Sequence, residues 1–430
     1  MTDGPSAAGQ EALERARSLK SDPDASTVDS TTCTFGDDRM DSTFERGAIA
    51  SSSKKATQRE ISSAAPSGDT GHPFISQDSW LPLASVFINR RVPPHRRSTL
   101  LFLEDSSDDG SVPIFFVRTD LLLDVIDLLQ AHPTPFVLIT ASNDDHCPPY
   151  LHFPPSKDIA AAAEAFLEES NLVRWFAKNP CIVHPKLRPL PLGPKWQWSS
   201  TAFFGEPKAV HKQLFKRFGA DPQRSFRGSR VTKPRLLFHN FRQTTKKCLY
   251  QPHRGCREAC KTALLRNGFE WSDFTSFEEY LSALATHRFC AAPPGRGIDT
   301  HRAWEALMLG TVPILLRTPS VDSLFDGLPV AFVDDFSSVT AEWLDSVYTQ
   351  LHALPDAAYD WSKLHSDHWV ESIRAAAANG GPAAAADDGT AKPAATAAAT
   401  PADAGSVSAG GAGGSHACSS PGCGKKKRAI

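Results

Sequence analysis

From residue 112 onward the chain alternates short apolar runs with segments whose apolar residues recur at helical spacing. Residues 113–117 (PIFFV) and 136–140 (FVLIT) are uninterrupted apolar runs, the pattern of strands buried on both faces of a parallel sheet. Between them, LLLDVIDLLQAH carries a helical repeat that Thr119 and Asp120 can open and that Pro133 and Pro135 stop. The three together predict a strand–helix–strand unit with a right-handed crossover. Helical sequence is expected from 157 to about 178, followed by short strands at 181–184 and 190–192.

Between 203 and 232 the pattern weakens and charges gather, and a domain boundary is expected there. A second alternation follows. It predicts a strand at 235–239, a helix at 257–267 ended by Gly268, and a capping box Ser276–Glu279 opening a helix that runs to Ala285. Then come a strand at 288–292, a glycine loop, a helix from about Thr300 to Leu309, strands at 312–316 and 329–333, and helix over 340–354. The expected fold is α/β, with two Rossmann-like domains, 71–228 and 229–374, facing a cleft. Ligands in such sheets bind beyond the carboxyl ends of the strands.

Composition changes the picture at both ends. Residues 1–70 are rich in Ser, Asp, Thr, Lys and Gly, and from Ala375 onward the chain is mostly Ala, Gly, Pro, Ser and Thr. Neither stretch can bury enough apolar surface to offset its ordering entropy, so both are expected to be disordered tails. The formal net charge of −2 gives no electrostatic case for nucleic acid or a membrane surface. The one basic block, Lys425 to Arg428, reads best as a solubilising end. No apolar run reaches the ~18 residues of a membrane span, and the N-terminal stretch has no apolar core for a signal peptide. The compartment is left open between the secretory pathway and the cytosol. Nine cysteines at irregular spacing argue against a disulfide scaffold. Cys248, His253, Cys256 and Cys260 lie close together but fit no common zinc spacing, so no metal is expected.

The chemistry concentrates where AAPPGRG (291–297) joins a buried strand to a helix. Asp299 or Thr300 is placed to cap that helix, whose first N–H groups and positive dipole end suit a phosphate. Gly295 and Gly297 allow close backbone approach. His301 and Arg302 lie in the first turn, and Arg302 can grip a diphosphate with two nitrogens. Glu305, one turn on, can accept two ribose hydroxyls. The plainer alternative is a surface Arg302–Glu305 ion pair above an ordinary turn.

FCAAPPGRGIDTHRAWEALMLGTVPIL, with Leu328-Pro329-Val330 and Val333-Asp334-Asp335 beyond it, resembles the donor-binding region of exostosin-like glycosyltransferases. The matching positions include Phe289, Pro293, Gly295, Gly297, Asp299, Arg302, Trp304, Glu305, Gly310 and Pro313. The resemblance spans about 136–369. It implies the two-domain GT-B fold, a nucleotide-sugar donor (UDP- or GDP-linked) in the second domain, and a glycan or glycoconjugate acceptor in the first. It places Glu305 on the ribose, Arg302 on the diphosphate, and implies no cofactor or metal. Arg242 and Lys246, after the strand at 235–239, are further candidates for the diphosphate charge. Asp144, Asp145 and His146 leave the carboxyl end of a buried strand and are the candidate bases for the acceptor hydroxyl. The chain has Pro294 where relatives often have a basic residue. The alternative function is a catalytically inactive binding or scaffold protein of the same fold.

Overall fold

The computed structural model describes residues 75, 80–88, 111–141, 147–150, 155–169, 171–195, 221–228, 233–241, 257–273 and 276–379. The expected disorder of 1–70 and of the chain beyond 379 lies outside these residues. All described residues fall in one compact unit. No helix among them is long and apolar enough to cross a membrane.

Two parallel sheets form the frame. In the first, β1 (Val86–Ile88), β2 (Ile114–Arg118), β3 (Phe136–Ala141), β4 (Leu172–Lys178) and β5 (Leu187–Leu190) pair in chain order. Helices α1 (Leu122–Gln130) and α2 (Lys157–Leu167) make the crossovers β2–β3 and β3–β4. The second sheet pairs β6 (Arg235–Phe238), β7 (His287–Ala291), β8 (Val312–Leu316) and β9 (Ala331–Val333), again all parallel. Before it lies α3 (Pro222–Arg227). Its connections carry α4 (Arg257–Arg266), α5 (Phe277–Ala285), α6 (His301–Met308) and α7 (Pro319–Phe325), and α8 (Ala341–Ala353) and α9 (Ser366–Ala378) follow. Parallel strands require such crossovers, because a hairpin cannot join them.

Most predicted elements appear. Gly268 ends α4 in the left-handed conformation, φ +84°, and Ser276 and Glu279 form the reciprocal capping box of α5. The stretch 157–178 differs: the helix stops at Leu167, and Leu172–Lys178 is the strand β4 between β3 and β5. Its Val, Trp and Phe suit a strand once neighbours exist on both sides, and those neighbours are distant in sequence. Residues 181–184 make only an isolated bridge, His184 with Leu187. At the other end α9 runs to Ala378, past the expected start of the tail at 375. Ala377 is buried, and its carbonyl accepts from Val112 N at 2.9 Å. Alanines without amphipathic contrast look like low complexity, yet here their small size lets a helix lie close on the first sheet.

One apolar cluster fills the space between the first sheet's outer face and α1 and α2. A larger one is continuous across both sheets, joining Phe116, Ile139 and Phe176 to Trp304, Leu324 and Ile373. α9 crosses back onto β3 and β4, and α7 lies on β5. The two halves therefore share a core. Cys147 and Cys181 form a disulfide, Cα–Cα 5.4 Å, that ties the chain after β3 to the chain after β4.

Lys233, only 1 % exposed, precedes β6 and donates to Ala285 O, Leu309 O and Thr311 Oγ1 at 2.7–2.8 Å. It thereby satisfies carbonyls left open at the ends of α5 and α6. Burial pushes its ammonium down to about 7 from 10.5. The folded state thus releases a proton near pH 7 that the unfolded chain keeps to pH 10.5, so stability should rise with pH across that window. The gain is on the order of 3–5 kcal/mol. Denaturant titrations of wild type and Lys233→Met at pH 7, 8.5 and 10 should show that extra slope in wild type alone; equal slopes would refute it.

Candidate functional site

The candidate loop leaves the carboxyl end of β7 and enters α6. All five residues of β7 pack in the sheet, with Phe289, Cys290 and Ala291 buried. Gly295 N donates to Gly297 O at 3.0 Å, closing a tight turn. The two glycines turn out to admit protein side chains. A Cβ on Gly295 would lie 2.7 Å from Arg257 Nη2, at the start of α4. Arg257 Nε also donates to Pro294 O, 3.2 Å, so a cation from another element stands beside the loop that lacks a basic residue at 294. A Cβ on Gly297 would run into the amide of Asn179, which follows β4, with Oδ1 at 2.9 Å.

Asp299 acts as a joint. Its Oδ2 accepts from Leu192 N at 2.7 Å, its Oδ1 from Thr300 N at 2.7 Å, and Trp304 Nε1 reaches both oxygens at 2.9 Å. Its own N–H donates to Asn179 Oδ1, 2.9 Å. Burial pushes the carboxyl up to about 6, against these donors, which pull it down. At neutral pH it is ionised and its acceptor capacity serves the protein. His301 Nδ1 donates to Gly193 O at 2.7 Å. Asp299, His301 and Glu305 thus all bond the backbone of residues 192–195, just beyond β5.

Glu305 is buried, 4 % exposed, which corrects the reading of it as half of a surface ion pair. Its Oε2 accepts from Tyr280 OH at 2.5 Å and its Oε1 from Lys195 N at 3.3 Å. Burial raises its carboxyl, while the Tyr280 hydroxyl and the charge of Arg302 pull it down. Sequence spacing put Glu305 one turn from Arg302 but could not supply Tyr280 from α5 as its partner. Each carboxylate oxygen still has a second lone pair.

Arg302 lies with its guanidinium 5.1 Å from the Tyr280 ring centre and 5.9 Å from that of Phe238. These contacts place it across the carboxyl end of β6, and its Nη1 is buried without a partner. α6 has Thr300 at its N-cap, yet no side chain caps it. By contrast Ser156, Ser276, Thr318 and Thr340 each cap their helices. The loop and Arg302 therefore set a cation and N–H donors, with the Glu305 carboxylate one turn behind, at the end of a helix on the carboxyl edge of a parallel sheet.

Asp144, Asp145 and His146 lie outside the described residues, as do Arg242 and Lys246. The stems of the 142–146 loop are described: Ala141 ends β3, and Cys147 is held by Cys181. β3 neighbours β4, whose following residue Asn179 touches Gly297, so the carboxyl end of β3 lies at the sheet edge that meets the glycine turn. Of the sulfur cluster only Cys260 is described, a buried free thiol. Among the described residues no three His, Cys, Asp or Glu gather as metal ligands. Sequence reasoning passed over Asn179, Arg257 and Tyr280, which come to the site from β4, α4 and α5. Only the positive φ of Asn179, 53°, marks one of them locally, and Asn is among the residues that tolerate it.

No protein-family model matches the chain, and no curated protein does. Among solved structures, a UDP-forming alpha,alpha-trehalose-phosphate synthase from Burkholderia xenovorans is similar over 62% of this chain and 74% of its own, with 12% identity and a TM-score of 0.31. A likeness at that level carries no argument about function, which has to be read from this chain's own residues.

Proposed function

We propose that this chain is a glycosyltransferase that holds a nucleotide sugar, UDP- or GDP-linked, at the start of α6 and passes the sugar to a hydroxyl of a glycan or glycoconjugate. The observation that carries this reading is the uncapped N-terminus of α6 with the partly unsatisfied guanidinium of Arg302 beside it. Transfer builds negative charge on the departing diphosphate, and fixed donors in a dry site stabilise it without reorganising. Arg302 and the α6 amides do that work, Arg242 and Lys246 add charge, and Glu305 accepts from the ribose. The base comes from Asp144, Asp145 or His146 and takes the acceptor's proton. The exostosin-like motif supports the same assignment, and the two sheets take the parts of the two GT-B domains.

Calorimetric titration with UDP and GDP tests the donor site. Wild type should bind at least one of them. Glu305→Gln keeps the shape and, with its amide oxygen toward Tyr280, that bond; it gives up the longer Lys195 N–H bond and replaces a charged acceptor with a neutral one, so affinity should fall about tenfold. Unchanged affinity would remove Glu305 from the site. A second reading has its own observation: residues 192–195 already engage Asp299, His301 and Glu305. A protein whose motif has become a joint would bind nucleotide without turning it over. Hydrolysis or transfer from a panel of UDP- and GDP-sugars separates the two.

A further inference from the structure

Three buried side-chain atoms without a hydrogen-bond partner lie on residues within, or against, the segment 297–302: Asn179 Nδ2, Thr300 Oγ1 and Arg302 Nη1. Asn179 is 4 % exposed and Thr300 9 %. A buried donor left unpaired is destabilising, and native proteins leave few of them without a reason. The orientation of the Asn179 amide follows from its bonding: Oδ1 accepts from Asp299 N at 2.9 Å, so the NH2 group is the half left over. Asn179 holds this position with φ 53°, at the carboxyl end of β4, against a glycine that leaves room for it. Strained, buried polar residues of this kind persist where a site needs them.

All three groups are able to donate, and two of them, the amide nitrogen and the guanidinium, can only donate. The group that suits such donors at the positive end of a helix is acceptor-only, an oxyanion. We propose that Asn179 and Thr300 are ligand-binding residues, donating the neutral hydrogen bonds to phosphate oxygens of the nucleoside diphosphate whose charge Arg302 meets. The proposal deepens, and rests on, the reading of α6 as the donor site. It makes the first sheet, through Asn179, a direct contributor to that site.

Thr300→Val separates this from a structural role. Valine has nearly the same shape, and no cap or hydrogen bond of the hydroxyl is lost. As a purely structural change it should leave the melting temperature unchanged or raise it. As a ligand residue its loss should weaken binding of UDP, GDP and pyrophosphate by about tenfold. Asn179→Asp keeps the acceptor for Asp299 N but sets a carboxylate toward the anion, so the loss should exceed tenfold. Calorimetry with the three probes on the full chain gives distinct outcomes. Wild-type binding that neither substitution changes overturns the proposal and leaves the donor site standing. Binding of pyrophosphate with the expected losses, but of neither nucleotide, supports the two residues and overturns the nucleotide-sugar reading. Binding of none of the three probes overturns both.

Discussion

Gly310→Ala should leave little folded protein. Gly310 follows α6 at φ +66° and closes a paired turn: its N–H donates to Leu307 O at 3.0 Å and Thr311 N to Ala306 O at 2.8 Å. That is the Schellman arrangement, which places a left-handed residue just past the helix. The strain of an alanine there is on the order of 1–2 kcal/mol. Steric overlap costs more. An added Cβ would fall on the backbone of Ser225 and Phe226 in α3, and even Ser225 Cβ would be only 2.7 Å away. Backbone of a packed helix cannot move aside as a side-chain end can, and Phe226 is fully buried. The total should reach about 3–5 kcal/mol, a large share of the ~5–15 kcal/mol that holds a typical protein folded. Gly268→Ala is the control, because Gly268 has φ +84° but nothing within 4 Å of the added carbon. It should lose about 1 kcal/mol. Thermal unfolding of both compares them directly. If the two variants melt within a few degrees of each other, the close approach of α3 to α6 is not what demands glycine at 310.

Glu305→Ala should destabilise the fold by about 3–5 kcal/mol and, on the proposed donor role, abolish nucleotide binding. Deleting the carboxylate leaves Tyr280 OH without its acceptor at 2.5 Å and leaves the neighbouring Arg302 without a counter-charge. The surrounding residues Ala303, Trp304 and Ala306 are fully buried, so water cannot enter easily to compensate. A surface ion pair would lose under about 0.5 kcal/mol. Urea titration of Glu305→Ala, with Tyr280→Phe and the double variant, measures this. The hydroxyl and the carboxylate should couple, so the double variant should lose less than the sum of the single ones. Additive losses would contradict the contact. Because the Ala variant confounds folding with binding, the isosteric Gln variant is the one for nucleotide affinity.

Much of the fold is legible in the sequence, for a local reason. Strands buried on both faces read as near-continuous apolar runs, as IFFV in β2, FVLI in β3 and VPILL in β8 do. Caps and stops such as Ser276, Glu279 and Gly268 act within a few residues of themselves. β4 escapes a local reading because its strand character comes from β3 and β5 on either side. The end of α9 escapes it because what orders its alanines is the first sheet, which ends at residue 190, far earlier in the chain. Within 301–308 the helical spacing sets Arg302 and Glu305 beside each other.

What the residues meet was decided only by the tertiary structure. Glycine at 295 and 297 signals close approach, but nothing local says that the approaching groups are Arg257 and Asn179. A carboxylate at 299 or 305 signals a bonding role, but its burial, and so its energetic weight, depends on Leu192, Lys195 and Tyr280. Hydrogen bonds and desolvation are set by distance in space. The residues that supply both to this site come from β4, the chain beyond β5, α4 and α5, and the sequence orders them along a line that the fold alone closes into a shell.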